Sequence, residues 1–271
     1  MTTELLLGKK IDYCRRYAPE LLCPIPRAYS RAALDLAGDP PFHGCDVWHA
    51  WELTWLDRRS LPQVAIAEIR VPAESVNIVE SKSLKLYLNS LAMTRFETQT
   101  ALVDTITTDI SRAVGSEVRI ALSSAACPQG TSFAPLRGEC LDSRSVRCDT
   151  WTIDRRLLVA DSDNVVSEDL HSHLLRSLCP VTNQPDCGSV QIRYRGPRID
   201  RDGLLRYIVS FREHNDFHES CVERMFVDIL HRCGPDRLSV HAHYLRRGGI
   251  DINPFRSNFE TAPEHIRVWR Q

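Results

Sequence analysis

An α+β fold of two tandem modules, each an antiparallel sheet with helices on one face, is what the pattern of this 271-residue chain predicts. Three observations carry it: a strand pair opens the first half, a glycine-terminated helix and a further strand follow, and the same order returns in the second half. In the first half Trp51, Leu53 and Trp55 alternate with Glu52 and Thr54, and Val64 to Val71 (VAIAEIRV) is rich in β-branched residues. Two strands joined around Asp57-Arg58-Arg59-Ser60 are therefore expected. Leu102, Ile106, Ile110 and Ala113 then recur at helical spacing up to Gly115, a C-terminal cap, and Val118 to Leu122 resumes a strand. In the second half Val190 to Tyr194 (VQIRY) reads as a strand, Val222, Phe226 and Ile229 share a helical face that Gly234 ends, and Leu238 to Tyr244 is a strand again.

Short stretches also align between the halves. Leu84 to Tyr87 (LKLY) matches Leu204 to Tyr207 (LLRY) at an offset of about 120, and Phe96 is set against Phe217, as a gene duplication would leave them. The intervening Ser123 to Asp163 is rich in Ser, Asp, Gly, Pro and Cys and has little periodicity, so the modules are placed at 1–125 and 126–271. Open sheet edges have to be covered or closed, and duplicated antiparallel modules commonly do this by assembling side by side into a barrel. A homodimer or higher homo-oligomer is expected.

Composition narrows the function classes. The hydrophobic share of 43% and charged share of 25% are those of an ordinary globular protein. A net charge of -1, from 34 basic and 35 acidic residues, gives no overall field toward nucleic acid or anionic membrane, so a bound anion must be met by a local cluster. No apolar run approaches the ~20 residues of a membrane span, and the leading Met-Thr-Thr-Glu and Leu-Leu-Leu are too short and wrongly flanked for a signal peptide. Ten cysteines without a CxxC pair suit free thiols in a reducing compartment, and the expected location is the cytoplasm.

The chemistry-bearing residues fall in a few segments. Ser177 to Asp186 (SLCPVTNQPD) holds one thiol, Cys179, and one carboxylate, Asp186, seven residues apart in a loop stiffened by two prolines. It reads either as a nucleophile loop, with Asp186 taking the thiol proton, or as a turn around a buried cysteine. Asp216-Phe217-His218-Glu219 starts the second long helix, where Asp216 can serve as a cap. There Glu219 can accept two hydrogen bonds from a guanine-like edge, and His218 is either a proton shuttle or a core histidine. Val79 to Lys85 (VESKSLK) and Arg246-Arg247-Gly248-Gly249 are basic clusters with small residues interleaved, suited to a phosphate or merely solvated. No GxGxxG follows a strand, so no Rossmann site is expected. His171, His173, His241, His243 and Cys179 could be combined on paper as metal ligands, but no HExxH or CxxC accompanies them and no metal site is expected.

Together these segments resemble the NADPH-dependent 7-cyano-7-deazaguanine reductases in their long, two-module form. The resemblance rests on LLCPIPR (Leu21 to Arg27), WELTWL (Trp51 to Leu56), the signature ESKSLKLYLNS (Glu80 to Ser90), LCPVTNQPD (Leu178 to Asp186), FHE (Phe217 to Glu219) and RRGGIDINP (Arg246 to Pro254), six segments in order over nearly the whole chain. It implies the tunnelling fold and reduction of a nitrile to an aminomethyl group, as in queuosine biosynthesis. Cys179 would attack the nitrile carbon to give a thioimide, Asp186 would supply the proton, and two NADPH molecules would be consumed per turnover. By the same resemblance Val79, Glu80, Ser81, His218 and Glu219 would hold the substrate, and Ser81, Lys82, Arg247 and Gly248 the NADPH. The signature lies in the first module and the catalytic loop in the second, so the active site is expected between modules or subunits. One departure is Cys187, where the family usually has Trp after the catalytic Asp. Two rival readings, a silent purine or pterin binder and a zinc-dependent cyclohydrolase of the same fold, lack support from Cys179 and Asp186 or from ligand spacing.

Overall fold

The computed structural model describes residues 14, 16–34, 36, 39–126 and 132–271, so that Cys127 of the ten cysteines lies outside the described residues. The chain forms two compact units, and neither is a single stretch of sequence. One comprises Met1–Tyr29, Asp46–Thr131 and Arg246–Asp251; the other comprises Ser30–Cys45, Ser132–Leu245 and Ile252–Gln271.

The first unit contains β1 (Pro24–Pro26), most of β2 (His43–Leu56), β3 (Pro62–Pro72), β4 (Asn77–Val79) and β5 (Arg119–Ser124), with helices α2 (Ser81–Ser90) and α3 (Gln99–Val114); a short α1 (Arg27–Ala32) runs on from β1. Its sheet runs β5-β3-β2, and β1 pairs with β4, antiparallel. The β2–β3 turn falls where the sequence places it. Asp57 Oδ1 accepts from the backbone N–H of Arg59 (2.8 Å) and Leu61 (2.9 Å), and Ser60 takes the left-handed conformation with φ 65°. Ala65, Ala67, Ile69 and Val71 of β3 are buried at alternate positions, and Leu102, Ile106, Ile110 and Val114 line the buried stripe of α3. Thr98 caps that helix through Ala101 N–H, and Gly115 ends it in the left-handed region.

The second unit contains β6 (Ser132–Phe133), β7 (Glu139–Cys140), β8 (Ala160–Leu178), β9 (Pro185–Ile199), β10 (Arg237–Tyr244), most of β11 (Ile250–Ser257) and β12 (Ile266–Arg267), with helices α4 (Arg201–Ser210) and α5 (His218–Cys233). Its sheet runs β11-β10-β9-β8-β7, antiparallel up to β8 and parallel between β8 and β7. Val222, Met225, Phe226 and Ile229 of α5 are fully buried, each worth roughly 1.5–3 kcal/mol of transfer free energy. Arg256, itself fully buried, donates to Glu223 Oε1 on α5 at 3.0 and 2.9 Å, and Arg31 closes on the same carboxylate at 2.8 and 2.9 Å.

The duplication is visible in the side chains of each unit. Helices α2 and α4 are ten residues each and start 120 residues apart; α3 and α5 are sixteen residues each and end at Gly115 and Gly234. Tyr87 donates to Asp109 at 2.6 Å in the first unit, and Tyr207 to Asp228 at 2.7 Å in the second, so in both a buried phenol ties the shorter helix to the longer. Leu56 bonds through its backbone to Thr94 and Phe96, and Leu178 to His214 and Asp216. Phe96 thus corresponds to Asp216 rather than to the Phe217 that the sequence alignment suggests.

Candidate active site

The catalytic candidates of the second unit gather where β8 turns into β9. The last rungs of that ladder pair Ser177 with Asp186 and Leu178 with Pro185, after which Cys179 to Gln184 form the loop. Cys179 N–H donates to the Gln184 carbonyl and Asn183 N–H to the Cys179 carbonyl, both at 2.9 Å, with Asn183 left-handed at φ 55°, a conformation asparagine tolerates. In the first unit the equivalent turn makes the same pair of bonds, Asp57 N–H to Leu61 and Ser60 N–H to Asp57. The thiol of Cys179 therefore stands at the position of an ordinary turn residue in the other copy, in a loop one residue longer.

Ser177 faces Asp186 on the last rung but one and Cys179 is the first residue of the loop that follows, so thiol and carboxylate both belong to this end of the hairpin. Cys179 is half-buried and Asp186 is buried, 6% exposed. His218, the first residue of α5, brings Nε2 to 3.5 Å from Asp186 Oδ2, and its ring lies 4.0 Å from that of Tyr244. Burial pushes the Tyr244 hydroxyl well above the usual tyrosine range, with the neighbouring Cys221 thiol adding to the rise. Burial likewise raises Cys221, which is fully buried beside Ser177 and Tyr244. Cys221 is thus a poor nucleophile, while Cys179 is accessible. Among the described residues no side chain caps α5; Asp216, expected as its cap, instead accepts from Phe217 N–H at 2.8 Å. Glu219, 3% exposed, is a buried carboxylate in the first turn of that helix, where the macrodipole favours negative charge. Cys187, half-buried on β9, uses its carbonyl to accept from Leu245 N–H.

The remaining candidates belong to the first unit. Val79 ends β4 opposite Pro24, and the buried Glu80 caps α2, its carboxylate accepting from Lys82 N–H at 2.9 Å and Ser83 N–H at 2.8 Å. Glu80 thus has a structural task that fixes Ser81 and Lys82 in the first turn. Arg247 and Ile250 close a two-residue turn through reciprocal backbone bonds of 2.9 and 3.3 Å, with Gly248 (φ 57°) and Gly249 (φ 78°) both left-handed, the signature of a type I′ turn. A side chain on Gly248 would meet Lys85 Cδ at 3.3 Å and Nζ at 3.6 Å, so the lysine lies directly on exposed backbone. A cleft of about 200 Å³ opens there, lined by Glu52, Lys85, Leu88, Asn89, Gly248 and Gly249. Its size suits a phosphate with part of a sugar rather than a whole dinucleotide, and an ammonium beside glycine backbone is the chemistry a phosphate requires. Lys85 belongs to the basic cluster that the sequence sets against a phosphate, though not to the residues that the resemblance assigns to NADPH; on α2 it stands one turn from Lys82, on the same side. The turn is held by Trp51, whose N–H donates to Gly249 and whose indole donates to Asp251 at 2.6 Å. Asp251 also contacts His49 Nδ1 at 2.8 Å.

The combination of histidines with Cys179 that is possible on paper, from which no metal site is expected, is not the grouping that forms. His171 and His173 join Cys140, not Cys179, in a group whose ligand atoms all lie within 4.8 Å of one another. No helix among the described residues is long and apolar enough to cross a membrane.

Comparison with known proteins adds two family matches. Residues 13–122 match the family described as nitrile reductase, 7-cyano-7-deazaguanine-reductase N-term, and residues 185–263 match the QueF-like protein family. Among solved structures, the apo crystal structure of the archaeosine synthase QueF-Like aligns with 16% identity and a TM-score of 0.31 over 36% of this chain and 95% of that one.

Proposed function

Because the chain belongs to the 7-cyano-7-deazaguanine nitrile reductase family, in its long two-module form, we propose that it reduces the nitrile of 7-cyano-7-deazaguanine to the aminomethyl group, with NADPH as reductant and Cys179 as covalent nucleophile. The observation that carries the reading is the hairpin end, where the half-buried Cys179 opens the loop and the buried Asp186 stands on the adjoining ladder, beside His218, with the buried Glu219 next in sequence.

A free thiol is a weak nucleophile until its proton is taken, so attack by a cysteine needs a base within reach. Proton transfer concerted with attack is the economical path. As the sulfur–carbon bond forms, the thiol proton passes to Asp186 and then to the nitrile nitrogen, leaving a neutral thioimide on Cys179. His218, 3.5 Å from Asp186, is placed to hold that carboxylate in position and to move a proton to or from it. Glu219 accepts two donors of the purine edge, and Val79, Glu80 and Ser81 complete substrate binding. When bound, NADPH supplies the hydrides, two per nitrile because four electrons separate nitrile from primary amine. Ser81, Lys82, Arg247 and Gly248 hold it, with the cleft beside Lys85 taking a phosphate. After the first reduction the carbon–sulfur bond breaks and the thiol regains its proton; the released imine takes the second hydride.

The substrate is a free small molecule rather than nucleic acid, in keeping with the net charge of -1. A cytoplasmic homo-oligomer is part of the same reading. Mixing protein, 7-cyano-7-deazaguanine and NADPH and following NADPH absorbance tests it. Two NADPH consumed per nitrile is the expected ratio, and a ratio of one, or no oxidation, contradicts the proposal. NADH is expected to be the poorer donor, since Lys82 and Arg247 offer charge to the extra phosphate.

A further inference from the structure

We propose that Cys140, His171 and His173 form a three-ligand site for a zinc-class divalent transition metal, on the sheet of the second unit and separate from the Cys179 loop. Their ligand atoms lie within 4.8 Å of one another, so that small rotamer changes bring them to the ~3–4 Å mutual spacing of a tetrahedral centre.

The backbone builds this grouping rather than merely permitting it. Strand β7 lies parallel to β8 with Glu139 opposite Leu170 and Cys140 opposite His171, which puts the thiol on the same side as His171 and, two residues on, His173. That close approach depends on Gly138, left-handed at φ 86°, where a Cβ would sit 1.8 Å from the Asp169 carbonyl oxygen. Beyond Cys140 the chain is pinned to β8 again, since Asp142 accepts from the Ser172 hydroxyl at 2.6 Å and from His173 N–H at 3.0 Å.

The rings are also oriented as ligands. His171 Nδ1 lies 3.1 Å from the Arg137 carbonyl; a carbonyl only accepts, so the ring proton sits on Nδ1 and Nε2 carries the lone pair. His173 Nδ1 is held by the Ser189 hydroxyl at 2.8 Å, again leaving Nε2 for a metal. Such partners on the far nitrogen are what metal-bound histidines generally have. One thiolate with two imidazoles and no carboxylate selects zinc or a similar ion over magnesium or calcium. Cys140 is exposed, which provides the entry path, and it loses its proton to solvent when the metal binds. His241 and His243 of β10, opposite Gln191 and Ser189 of β9, do not belong to the group of ligand atoms that Cys140, His171 and His173 form. The fourth position is thus open to water or a small ligand, and the metal clips β7 to the sheet.

Cobalt(II), which replaces zinc and reports thiolate ligation by absorption, tests the proposal on the full-length, chelator-treated protein. Titration is expected to give one saturating equivalent with a thiolate-to-cobalt charge-transfer band and the intense visible bands of a tetrahedral centre. Cys140→Ser, at an exposed position that leaves the fold intact by circular dichroism, should abolish the charge-transfer band. Cys179→Ala should leave it unchanged. Zinc should raise the melting temperature of the wild type and not of Cys140→Ser. Absence of saturable binding at micromolar metal, or a band that persists in Cys140→Ser, overturns the site.

Discussion

His49→Gln should cost stability in a way that depends on pH, because His49 anchors the segment carrying Arg247 and Gly248. Burial works against charge on this ring, yet hydrogen bonds to Asp251 and Glu68, and the charges of both, raise its pKa from 6.5 to about 9. The contacts are 2.8 Å to Asp251 Oδ1 and 3.5 Å to Glu68 Oε2. A folded-state pKa above the unfolded value means stabilisation that is fully present below about pH 6.5 and lost as the pH rises through about 9. At about 1.4 kcal/mol per pH unit the span is worth roughly 3 kcal/mol. Glu68, held down at about 2 chiefly by its hydrogen bond to His49, is the same contact seen from the other side; its share is lost only as the pH falls from 4.5 through 2, and is not added again. Urea unfolding followed by tryptophan fluorescence is the assay, with Trp51 as the neighbouring reporter. Near pH 6 the wild type should exceed His49→Gln by roughly 3 kcal/mol, and by pH 10 the gap should shrink to under about 1 kcal/mol. A gap of equal size at both pH values refutes the assignment of charge to His49.

Other substitutions address the site and the duplicated helices. Glu219→Leu should weaken substrate binding by on the order of 1–3 kcal/mol, from purine donors left unpaired, and an unchanged dissociation constant by calorimetry would remove Glu219 from the pocket. Asp186→Asn should lower kcat by about 10²–10⁴-fold with little change in substrate affinity, and near-normal turnover would contradict its proton-transfer role. Tyr207→Phe should destabilise the protein by about 1–3 kcal/mol, because it is the phenol that donates to the buried Asp228. Tyr87→Phe should cost less, since Asp109 keeps a second phenol, Tyr17, at 2.6 Å; equal losses in thermal melts would mean that Tyr17 does not compensate.

The elements legible in the sequence are those whose apolar residues recur at a simple period. Strand β3, helices α3 and α5 and strand β10 bury regular apolar positions, and their ends carry turn residues or glycine. Helices α2 and α4 were visible as a repeat but not as helices, because lysine, serine and asparagine in α2 and glycine in α4 blur the apolar stripe. The start of β8 is polar, exposed from Asp161 to Asp163, and its register with β9 breaks between Asp161 and Val165; the strand is held by pairing with β9 on either side of that irregularity, which no local pattern shows. Strand β11 is buried along its whole length and so lacks alternation, and its polar residues each need a specific partner: Asp251 has Trp51, Asn253 has Gln271 and Arg256 has Glu223. Within the site, Cys179 and Asp186 stood out because they frame a short segment bounded by Pro180 and Pro185. The approach of His218 to Asp186 and of Cys140 to His171 depends on chain segments brought together by the fold, and neither had a local signature.

The central claim is that Cys179 bonds to the nitrile carbon, and mass spectrometry of the intact protein with 7-cyano-7-deazaguanine in the absence of NADPH tests it most directly. The expected result is a gain of one substrate mass, mapped by peptide analysis to Cys179, absent in Cys179→Ala and discharged when NADPH is added. No adduct under saturating substrate, an adduct on another of the ten cysteines, or turnover retained in Cys179→Ala would contradict the account.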